Sequence, residues 1–480
     1  MASKAPGLVV VVDDGRLTLA SEKKPVFWFG DIHGRISLPP DKLEIDLACN
    51  SNLWESMSLE GWLDPESFKG NGLVDVTHFQ VKELIDHFFP SAAGLVGDTS
   101  ANLTISFKTD GLKALQAQVR GSLPYLTMLQ AKEKLVIKAK SLKSAFHMED
   151  DRITISLTEL DLDYPRLKMS GKLFIDQTTP RVSLELEGRE IDVNSMREAA
   201  LAVVGDIPSA QEILGMVKGG KIPLVTVSAQ GSSLADLEKV ENIHVKGSIV
   251  GGKAFLPGVK VGLEGVNLDV RDIKGEVVIS KGILEGNNLG ARWENIQVRD
   301  GIFRLGLKGE DVPFHLDTVV EVELAQLRAI IGDLIRDQAF QEELILIKEI
   351  RGKAVGRVFL DGTTSSVKAR AEISECNLFA RYGRIPSPLE IQKGKISYDG
   401  RTISVYNLGG SLGKSFFSEL TAKLSLKKAP HLAVLSGKSL ISLDEIYPWL
   451  SSLEGLSGAL KDLKSVQGKI AISGIDVKGP

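Results

Sequence analysis

Apolar and polar residues alternate along most of this chain. In residues 43–47, 153–157 and 182–186 every second side chain is apolar. A period of two places successive side chains on opposite faces of a strand, so the pattern predicts strands with one dry and one wet face. We count about thirty such strands, without the regular helices that a parallel sheet requires. The sequence therefore predicts a mainly β fold, a long curled antiparallel sheet with short helical insertions.

Glycine, proline and Asp-Gly pairs mark the predicted corners between these strands. Near the start of the chain they include Asp14-Gly15, Gly34 and the Gly-Asn-Gly run at 70–72. The chain has 47 glycines and 6% aromatic residues, a composition that suits many strands joined by tight corners.

Four predicted helical insertions interrupt the strands, and each opens with the form apolar-x-apolar-x-x-apolar. The four copies of this opening motif are Phe79, Val81 and Leu84; Ile191, Val193 and Met196; Val322, Leu324 and Leu327; and Ile441, Leu443 and Ile446. The chain then returns to strand at Gly220-Lys221, Gly352-Lys353 and Gly468-Lys469, and at the weaker Gly97-Asp98 in the first copy. Such long periods indicate one supersecondary unit repeated.

The repeat predicts that residues 1–480 form one elongated array. Its approximate units are 1–98, 99–220, 221–352 and 353–468, and we expect the last unit to be cut off at 480, as in a fragment of a longer protein. The third insertion has the spacing of an amphipathic helix at Leu324, Leu327, Ile330, Ile331, Leu334 and Ile335. Such a helix either caps the sheet or forms a lid over its dry face, and the sequence does not separate these roles.

The dry faces of so many strands can be covered in two ways. They can pack together as a sandwich or closed solenoid, or the sheet can curl into an open groove that holds acyl chains. Candidates for the lining of such a groove are alternate apolar residues: Ile36, Leu38, Leu184, Leu186, Val259, Val261, Ile403 and Val405.

Composition argues against several classes of function. A net charge of −4 without a long basic run argues against nucleic acid as a partner. Cys49 and Cys376 lie in no CxxC pattern, so strand packing explains them better than a metal or redox pair. No apolar run approaches the ~18 residues of a membrane span, and the first residues do not resemble a signal peptide.

Two short motifs point to enzymes but lack the rest of their signatures. The Gly-Asp-Ile-His-Gly run at 30–34 copies part of a phosphoesterase metal motif, yet the downstream metal ligands are missing. We therefore interpret it as a strand that ends at a polar turn. The G-x-S-x-G run at 409–413 is followed by strand-like residues and not by a helix, so a corner between strands explains it better than a nucleophile elbow. We expect no catalytic site, metal or cofactor.

Several short segments of the chain resemble sequences of the bacterial AsmA-like family, the TamB/YhdP-type repeating β-groove proteins. They are the opening and return motifs, Ile-Ser-Leu-Pro at 36–39, Ser-Leu-Glu-Gly-Trp-Leu-Asp-Pro at 58–65 and Leu-Gly-Gly-Ser-Leu-Gly at 408–413. The resemblance implies a periplasmic β-groove protein of the cell envelope, anchored in the inner membrane in its full-length form. By this resemblance, we expect the N-terminal anchor of a complete member to lie outside this chain.

The expected function follows from that resemblance. It implies a segment of an intermembrane bridge that carries phospholipid acyl chains along a hydrophobic groove between inner and outer membrane. Its partners would be phospholipids or other acyl-chain lipids and components of both membranes. The alternative is a periplasmic scaffold or assembly factor for outer-membrane proteins that conducts no lipid. The oligomeric state is not indicated.

Overall fold

A computed structural model gives the fold of this chain. It describes residues 7–21, 24–39, 42–88, 96–130, 133–204, 214–215, 217–259, 266–307, 309, 311–326, 328, 338–425, 431–452, 457–460, 466–474 and 477–479.

Twenty-five strands make up most of the described chain. They are β1 (Leu8–Ser21), β2 (Lys24–Leu38), β3 (Leu43–Ser51), β4 (Trp54–Leu63), β5 (Lys69–Phe79), β6 (Val96–Asp110), β7 (Ala114–Gln130), β8 (Glu133–Glu149), β9 (Arg152–Tyr164), β10 (Leu167–Asp176), β11 (Arg181–Asp192), β12 (Val217–Gly231), β13 (Ile243–Val259), β14 (Val266–Ser280), β15 (Ile283–Trp293), β16 (Ile296–Gly306), β17 (Pro313–Glu323), β18 (Ile347–Thr363), β19 (Ser366–Tyr382), β20 (Leu389–Tyr398), β21 (Thr402–Leu412), β22 (Ser415–Ser425), β23 (His431–Ser442), β24 (Lys469–Ser473) and β25 (Val477–Gly479).

Short helices interrupt the strands at the four predicted places. They are α1 (Val81–Phe88), α2 (Val193–Val204), α3 (Gln338–Ile345), and the pair α4 (Leu443–Leu450) and α5 (Ser457–Leu460). Two 3-10 helices, Leu234–Glu238 and Val240–Asn242, follow β12. None of the helices among the described residues has the length and apolar character needed to cross a membrane.

The chain divides into two compact units. Unit 1 contains Met1–Gly252 and Val277–Gly282, and unit 2 contains Lys253–Glu276 and Ile283–Pro480. In unit 1, each strand from β1 to β11 pairs antiparallel with the next strand of the chain. In unit 2, β15 to β23 pair in the same way, and β24 and β25 both pair with β23. The predicted mainly β, antiparallel fold with short helical insertions is confirmed.

Six strands separate successive insertions. β6 to β11, β12 to β17 and β18 to β23 each precede one insertion, and the first insertion follows β5. Because neighbouring antiparallel strands alternate in direction, an even number of strands returns the chain to the same end of the sheet. In unit 1, α1 and α2 therefore leave the sheet at the same end, called here the helix end. The opposite end, where β4–β5, β6–β7, β8–β9 and β10–β11 are joined, is called the turn end.

Each insertion is flanked by two strand ends, called here its neck. The register between these strands explains why the opening and return motifs recur. The second residue of the opening motif pairs with the lysine of the return motif in three copies. The pairs are Asp192 and Lys221, Glu323 and Lys353, and Ser442 and Lys469. Lys353 Nζ also forms an ion pair with Glu323 at 2.8 Å. The neck is thus two paired strand ends, and this is why the two motifs recur together.

In the first two copies, the backbone of the second motif residue also forms a hydrogen bond to a preceding hairpin turn. The backbone N–H of Gln80 donates to the carbonyl of Leu53 (2.7 Å), and that of Asp192 donates to the carbonyl of Arg166 (3.2 Å). Leu53 and Arg166 both lie in the turn between the two strands that precede the opening strand. These equivalent bonds support a structural repeat.

Several predicted corners lie inside longer strands, and the one at Asp14-Gly15 is a bulge. Asp14-Gly15 lies within β1, Gly34 within β2 and residues 70–72 within β5. The register shifts between Val12 and Gly15, where Asp14 has a φ of 55°. An Asp or Gly that adopts positive φ serves a β-bulge as well as a turn, and an unrecognised bulge splits one strand into two. The estimate of about thirty strands was therefore too high for the described chain.

The predicted amphipathic helix of the third insertion falls largely outside the described residues. Leu324 and the two residues after it are helical, and Leu324 is buried. Leu327, Ile330, Ile331, Leu334 and Ile335 lie outside the described residues. The described helix of this insertion, α3, begins later, at Gln338.

Candidate functional site

One face of unit 1 consists mainly of apolar residues, which form several parallel rows across the strands. Residues that pair directly across antiparallel strands point to the same side, so a row of pairs traces one face. One such row crosses all of β1 to β12 without a polar side chain: Val10, Ile36, Ile45, Gly61, Gly72, Phe107, Ala117, Phe146, Ile155, Leu173, Leu184 and Ala229.

Three parallel rows from β3 to β12 complete this surface, called here the inner face of unit 1. Toward the turn end lies the row Leu43, Leu63, Gly70, Thr109, Leu115, Met148, Ile153, Ile175, Val182 and Gly231. Toward the helix end lie two rows: Leu47, Leu59, Val74, Ile105, Val119, Ser144, Leu157, Gly171, Leu186 and Val227; and Cys49, Met57, Val76, Leu103, Gly121, Leu142, Leu160, Met169, Gly188 and Val225. Thr109 and Ser144 are the polar members of the four rows, and none of the members is charged.

The opposite, outer face is polar. Its corresponding row is Asp46, Glu60, Leu73, Ser106, Gln118, Ala145, Ser156, Lys172, Glu185 and Ser228. Between the bulges, inner and outer residues alternate along these strands, as the period of two in the sequence predicted. The difference in polarity between the two faces identifies the inner face as the candidate functional surface.

Unit 2 has an inner face of the same kind. One row from β15 to β23 and β25 is entirely apolar: Ala291, Val298, Val320, Gly356, Ile373, Ile396, Val405, Ala422, Val434 and Val477. The row beside it contains Thr318, Val358, Ala371, Tyr398, Ile403, Leu424, Leu432 and Gly479.

The inner face of unit 1 is only partly shielded from solvent. Val119, Leu184 and Leu186 are half-buried, and Ile155 is 38% exposed. The dry face of a sandwich is buried against a second sheet, with interdigitating side chains about 10 Å apart. The partial exposure of these four side chains in the described part of unit 1 instead fits a single-layer sheet.

Six of the eight predicted lining residues lie on these inner faces. Ile36, Leu38, Leu184 and Leu186 belong to unit 1, and Ile403 and Val405 belong to unit 2. Val259 ends β13, but the structure does not describe its side chain, and Val261 lies outside the described residues. The structure thus places the six on the apolar surface, while their contact with lipid stays a prediction.

Sequence reasoning missed most of the lining because a single strand does not show which residues its neighbours present. Phe107 and Gly72 illustrate this: they pair directly, and the Phe107 ring fills the space that a Cβ at 72 would need. The glycine is therefore part of the lining, where it makes room for the ring. A pattern of aromatic residues opposite glycines in adjacent strands could have revealed the pair.

Helix α2 packs at the helix end of the unit 1 inner face, against β7, β8, β11 and β12. Ala199 packs against Leu135, with Ile137 and Tyr164 beside them. The Tyr164 hydroxyl donates to Glu198 (2.8 Å), and this carboxylate raises the pKa of Tyr164. The helix therefore crosses the ends of the strands that precede it and forms a wall there.

Aromatic rings occupy the helix end at β2 to β5. The ring of Trp54 lies 5.7 Å from that of Phe29 and 6.5 Å from that of Phe79. Cys49, the inner-face residue beside this cluster, is buried, and its burial raises the pKa of its thiol. Cys49 and Cys376 are both free and buried, as predicted for strand-packing residues.

In unit 2, helix α4 is held across the ends of β20 to β22. Glu445 accepts hydrogen bonds from the Ser387 hydroxyl (2.5 Å) and from the backbone N–H of Lys414 (2.6 Å). Trp449 Nε1 donates to the carbonyl of Arg384 at 2.9 Å. α4 thus lies at its sheet end much as α2 does in unit 1.

Ion pairs cover the outer face of unit 2. The row Glu285, Arg304, His315, Asp361 and Lys368 crosses β15 to β19. His315, first, and Arg370 hold the pKa of Asp361 below its usual range. Exposed pairs of this kind contribute little stability and keep the face hydrated.

The two enzyme-like motifs have structural roles. The run 30–34 lies inside β2, which continues to Leu38, so the interpretation as a strand that ends at a polar turn was wrong. Its Asp31 (φ 46°) is at a bulge, and it accepts a hydrogen bond from Asn50 Nδ2 at 2.6 Å. His33 Nδ1 lies 2.9 Å from Asp13 Oδ1. In the described part of the chain no three His, Cys, Asp or Glu side chains are arranged to hold a metal ion.

The G-x-S-x-G run closes β21. Residues 409–412 are the last of that strand, and Gly413, with a φ of 55°, makes the turn to β22. No helix follows, in agreement with the predicted corner between strands.

Comparison with protein-family models, with curated proteins and with solved structures found no match to this chain.

Proposed function

We propose that this chain is a segment of an intermembrane lipid-transfer bridge and that phospholipid acyl chains slide along its inner faces. The observation that carries the proposal is the set of four rows without a charged side chain on the inner face of unit 1. From β3 to β11 these rows extend roughly 40 Å across the strands and about 20 Å along them. That is about 800 Å², above the roughly 300–600 Å² of the largest apolar patch on a typical monomer.

Uniformity of the surface supports sliding. The hydrophobic effect is non-directional and proportional to the apolar area removed from water. Neighbouring rows present similar area, so an acyl chain gains nearly the same free energy at each position and meets small barriers between them. A deep pocket with polar groups would instead hold one ligand in one place.

The proposal also includes a family, a location in the cell and the partners of the protein. Membership of the AsmA-like family, a place in the cell envelope between inner and outer membrane, and an inner-membrane anchor in the full-length protein rest on the sequence resemblance. Phospholipids or other acyl-chain lipids would be the cargo, and components of the two membranes the partners. No catalytic step is needed, because the lipid is moved without chemical change.

The proposal is tested by a matched pair of charged substitutions on β7. Val119 faces inward and Gln118 outward. Val119→Asp places a carboxylate in the path of the acyl chains, where desolvation of the charge is costly. With the purified chain between donor and acceptor vesicles, we expect Val119→Asp to lower the rate of phospholipid transfer at least tenfold and Gln118→Asp to leave it within twofold.

Thermal unfolding of both variants separates a blocked path from a misfolded protein. Equal transfer rates for the chain and the two variants, with all three folded, would refute the groove as the path.

One observation favours the second candidate function, a scaffold for outer-membrane proteins. In the described residues β1 pairs with β2 alone, and its exposed apolar residues lie on both faces, among them Leu8 (48% exposed) and Val11 (69% exposed). An apolar edge strand is a template for pairing with another strand. Photo-crosslinkers at Val9 and Val11 that capture β-barrel precursors, with vesicle transfer absent, would favour this role.

A further inference from the structure

Methionine side chains are concentrated on the inner face of unit 1. The chain contains seven methionines, and the structure describes the side chains of Met57, Met148, Met169 and Met196. The first three belong to the inner rows, on β4, β8 and β10. Met196 lies in α2, and none of these four described side chains is on the outer face. Three thioethers therefore share the surface that is proposed to carry acyl chains.

The three inner-face methionines lie among uncharged side chains. Their direct partners on the neighbouring strands are Cys49 and Val76 for Met57, Leu115 and Ile153 for Met148, and Leu160 and Gly188 for Met169. Apart from the weak S–H donor of Cys49, none of these partners has a side-chain hydrogen-bond donor. An oxygen atom added to any of the three sulfur atoms therefore needs water as its donor.

The three sulfur atoms can be oxidised in the folded chain. Each of these side chains is half-buried, so a solute as small as hydrogen peroxide can reach it. The sulfur lone pair forms an S–O bond to one peroxide oxygen while the O–O bond breaks. The other oxygen leaves as hydroxide and takes up the proton of the first, which gives water. The thioether loses two electrons, the peroxide gains them, and the product is the polar methionine sulfoxide.

Sulfoxides at these positions would lie in or beside each of the four inner rows. Neighbouring rows are two residues apart along a strand, about 7 Å. Met148 lies in the row of Leu43, Met57 and Met169 lie in the row of Cys49, and each middle row adjoins one of these two. An acyl chain that crosses unit 1 would therefore pass close to a sulfoxide and displace its water, and this desolvation is costly.

We propose that Met57, Met148 and Met169 are oxidation sites, and that a hydroperoxide interrupts the passage of acyl chains along unit 1 by converting them to sulfoxides. The inference rests on the proposed function. In the reduced state the methionines pack much as leucines do and keep the face apolar. Methionine sulfoxide reductases reverse the modification, so the interruption is reversible.

The inference is tested by treating the full chain with hydrogen peroxide and measuring phospholipid transfer between donor and acceptor vesicles. The comparison protein carries Met57→Leu, Met148→Leu and Met169→Leu together and keeps Met196 and Cys49. Each rate is compared with that of the same protein before treatment, and peptide mass spectrometry reports the oxygen added at each methionine. We expect the rate of the unsubstituted chain to fall about fivefold or more and that of the triple variant to change less than twofold.

Two controls separate the inner face from other effects of the peroxide. Met196→Leu should lose transfer on treatment as the unsubstituted chain does. Incubation of the treated, unsubstituted chain with methionine sulfoxide reductases should restore its rate, a result that depends on no substitution. Thermal unfolding before and after treatment reports whether the chain stays folded.

Several results would overturn the inference. They are equal losses in the unsubstituted chain and the triple variant, an unchanged rate when all three sulfoxides have formed, resistance of the three thioethers to oxidation, and unfolding of the treated chain. The rate before treatment tests the proposed function separately. If the untreated chain transfers no phospholipid, the proposed function fails, and the inference fails with it.

Discussion

At Gly352 the return motif depends on a conformation that other residues avoid. Its φ is 121°, and a Cβ there would overlap the backbone carbonyl of Asn377 on β19. Gly352→Ala should therefore lower the free energy of unfolding by about 2 kcal/mol or more, measured by urea unfolding. Gly220 and Gly468 also have positive φ, of 131° and 114°.

Two control substitutions separate strain from collision. Gly282 has a φ of 72° but open space around it, so Gly282→Ala should cost about 1 kcal/mol from backbone strain. Gly458 has open space and helical backbone in α5, so Gly458→Ala should be neutral or slightly stabilising. Equal effects at 352 and 458 would contradict this explanation of the return motif.

At this scale the sequence indicated which side chains share a face, but not where a strand bends. Leu184 and Leu186 alternate with Glu185, and the period of two placed them on the apolar face. Asp14 was predicted as a corner and is a bulge, because a turn and a bulge accept the same residue types at positive φ. Only the partner strand decides between them, and it is not visible in the local sequence.

At the scale of elements, α4 depends on Glu445. Its carboxylate accepts hydrogen bonds from the Ser387 hydroxyl and the Lys414 backbone N–H, so Glu445→Ala leaves both donors without this partner. We expect amide hydrogen exchange in residues 443–450 to quicken by about tenfold, which corresponds to about 1.4 kcal/mol. Glu419→Ala, which removes an exposed ion pair with Lys438, is the control and should change that exchange less than threefold. Similar exchange in the two variants would show that Glu445 does not hold the helix.

The 3-10 helix Leu234–Glu238 should respond to acid through Asp236. Lys239, first, and Ser232 hold the pKa of this carboxyl well below its usual range. A lowered pKa in the folded state means that the carboxylate stabilises the fold above its unfolded pKa of about 3.9 and loses this effect as the pH falls toward the folded value. Asp236→Asn should therefore loosen residues 232–239 at pH 7, as measured by NMR, and its difference from the unsubstituted chain should shrink below about pH 4. A difference that is constant with pH would contradict the role of this charge.

The opening motifs located the four insertions from sequence alone, since an apolar residue must follow each strand into its helix. Val193 and Leu324, the third residues of two copies, are buried. The path of the helices over the sheet was not predictable, because Ser195 and Glu445 bind turns that lie about 30 residues earlier in the chain. Ser195 accepts a hydrogen bond from the backbone N–H of Arg166, and nothing in the local sequence indicates this partner.

At the scale of the whole molecule, stability should be local. Each strand of β1 to β12 and of β15 to β23 pairs with its sequence neighbours, as in repeat proteins whose stability sums over nearest-neighbour interfaces. Gly352→Ala should therefore quicken hydrogen exchange in β17 to β19 and leave β4 to β10 unchanged. A uniform increase across both sets of strands would indicate a single cooperative unit.

We propose that the inner faces, and not the outer ones, carry acyl chains. It is tested most directly by placing a photo-crosslinking residue in turn at positions 183, 184, 185 and 186 of β11 in cells and identifying the captured lipids by mass spectrometry. Leu184 and Leu186 point inward, whereas Ser183 and Glu185 point outward. We expect phospholipid adducts at 184 and 186 and background at 183 and 185. Equal capture from the four positions, or capture of protein alone, would contradict it.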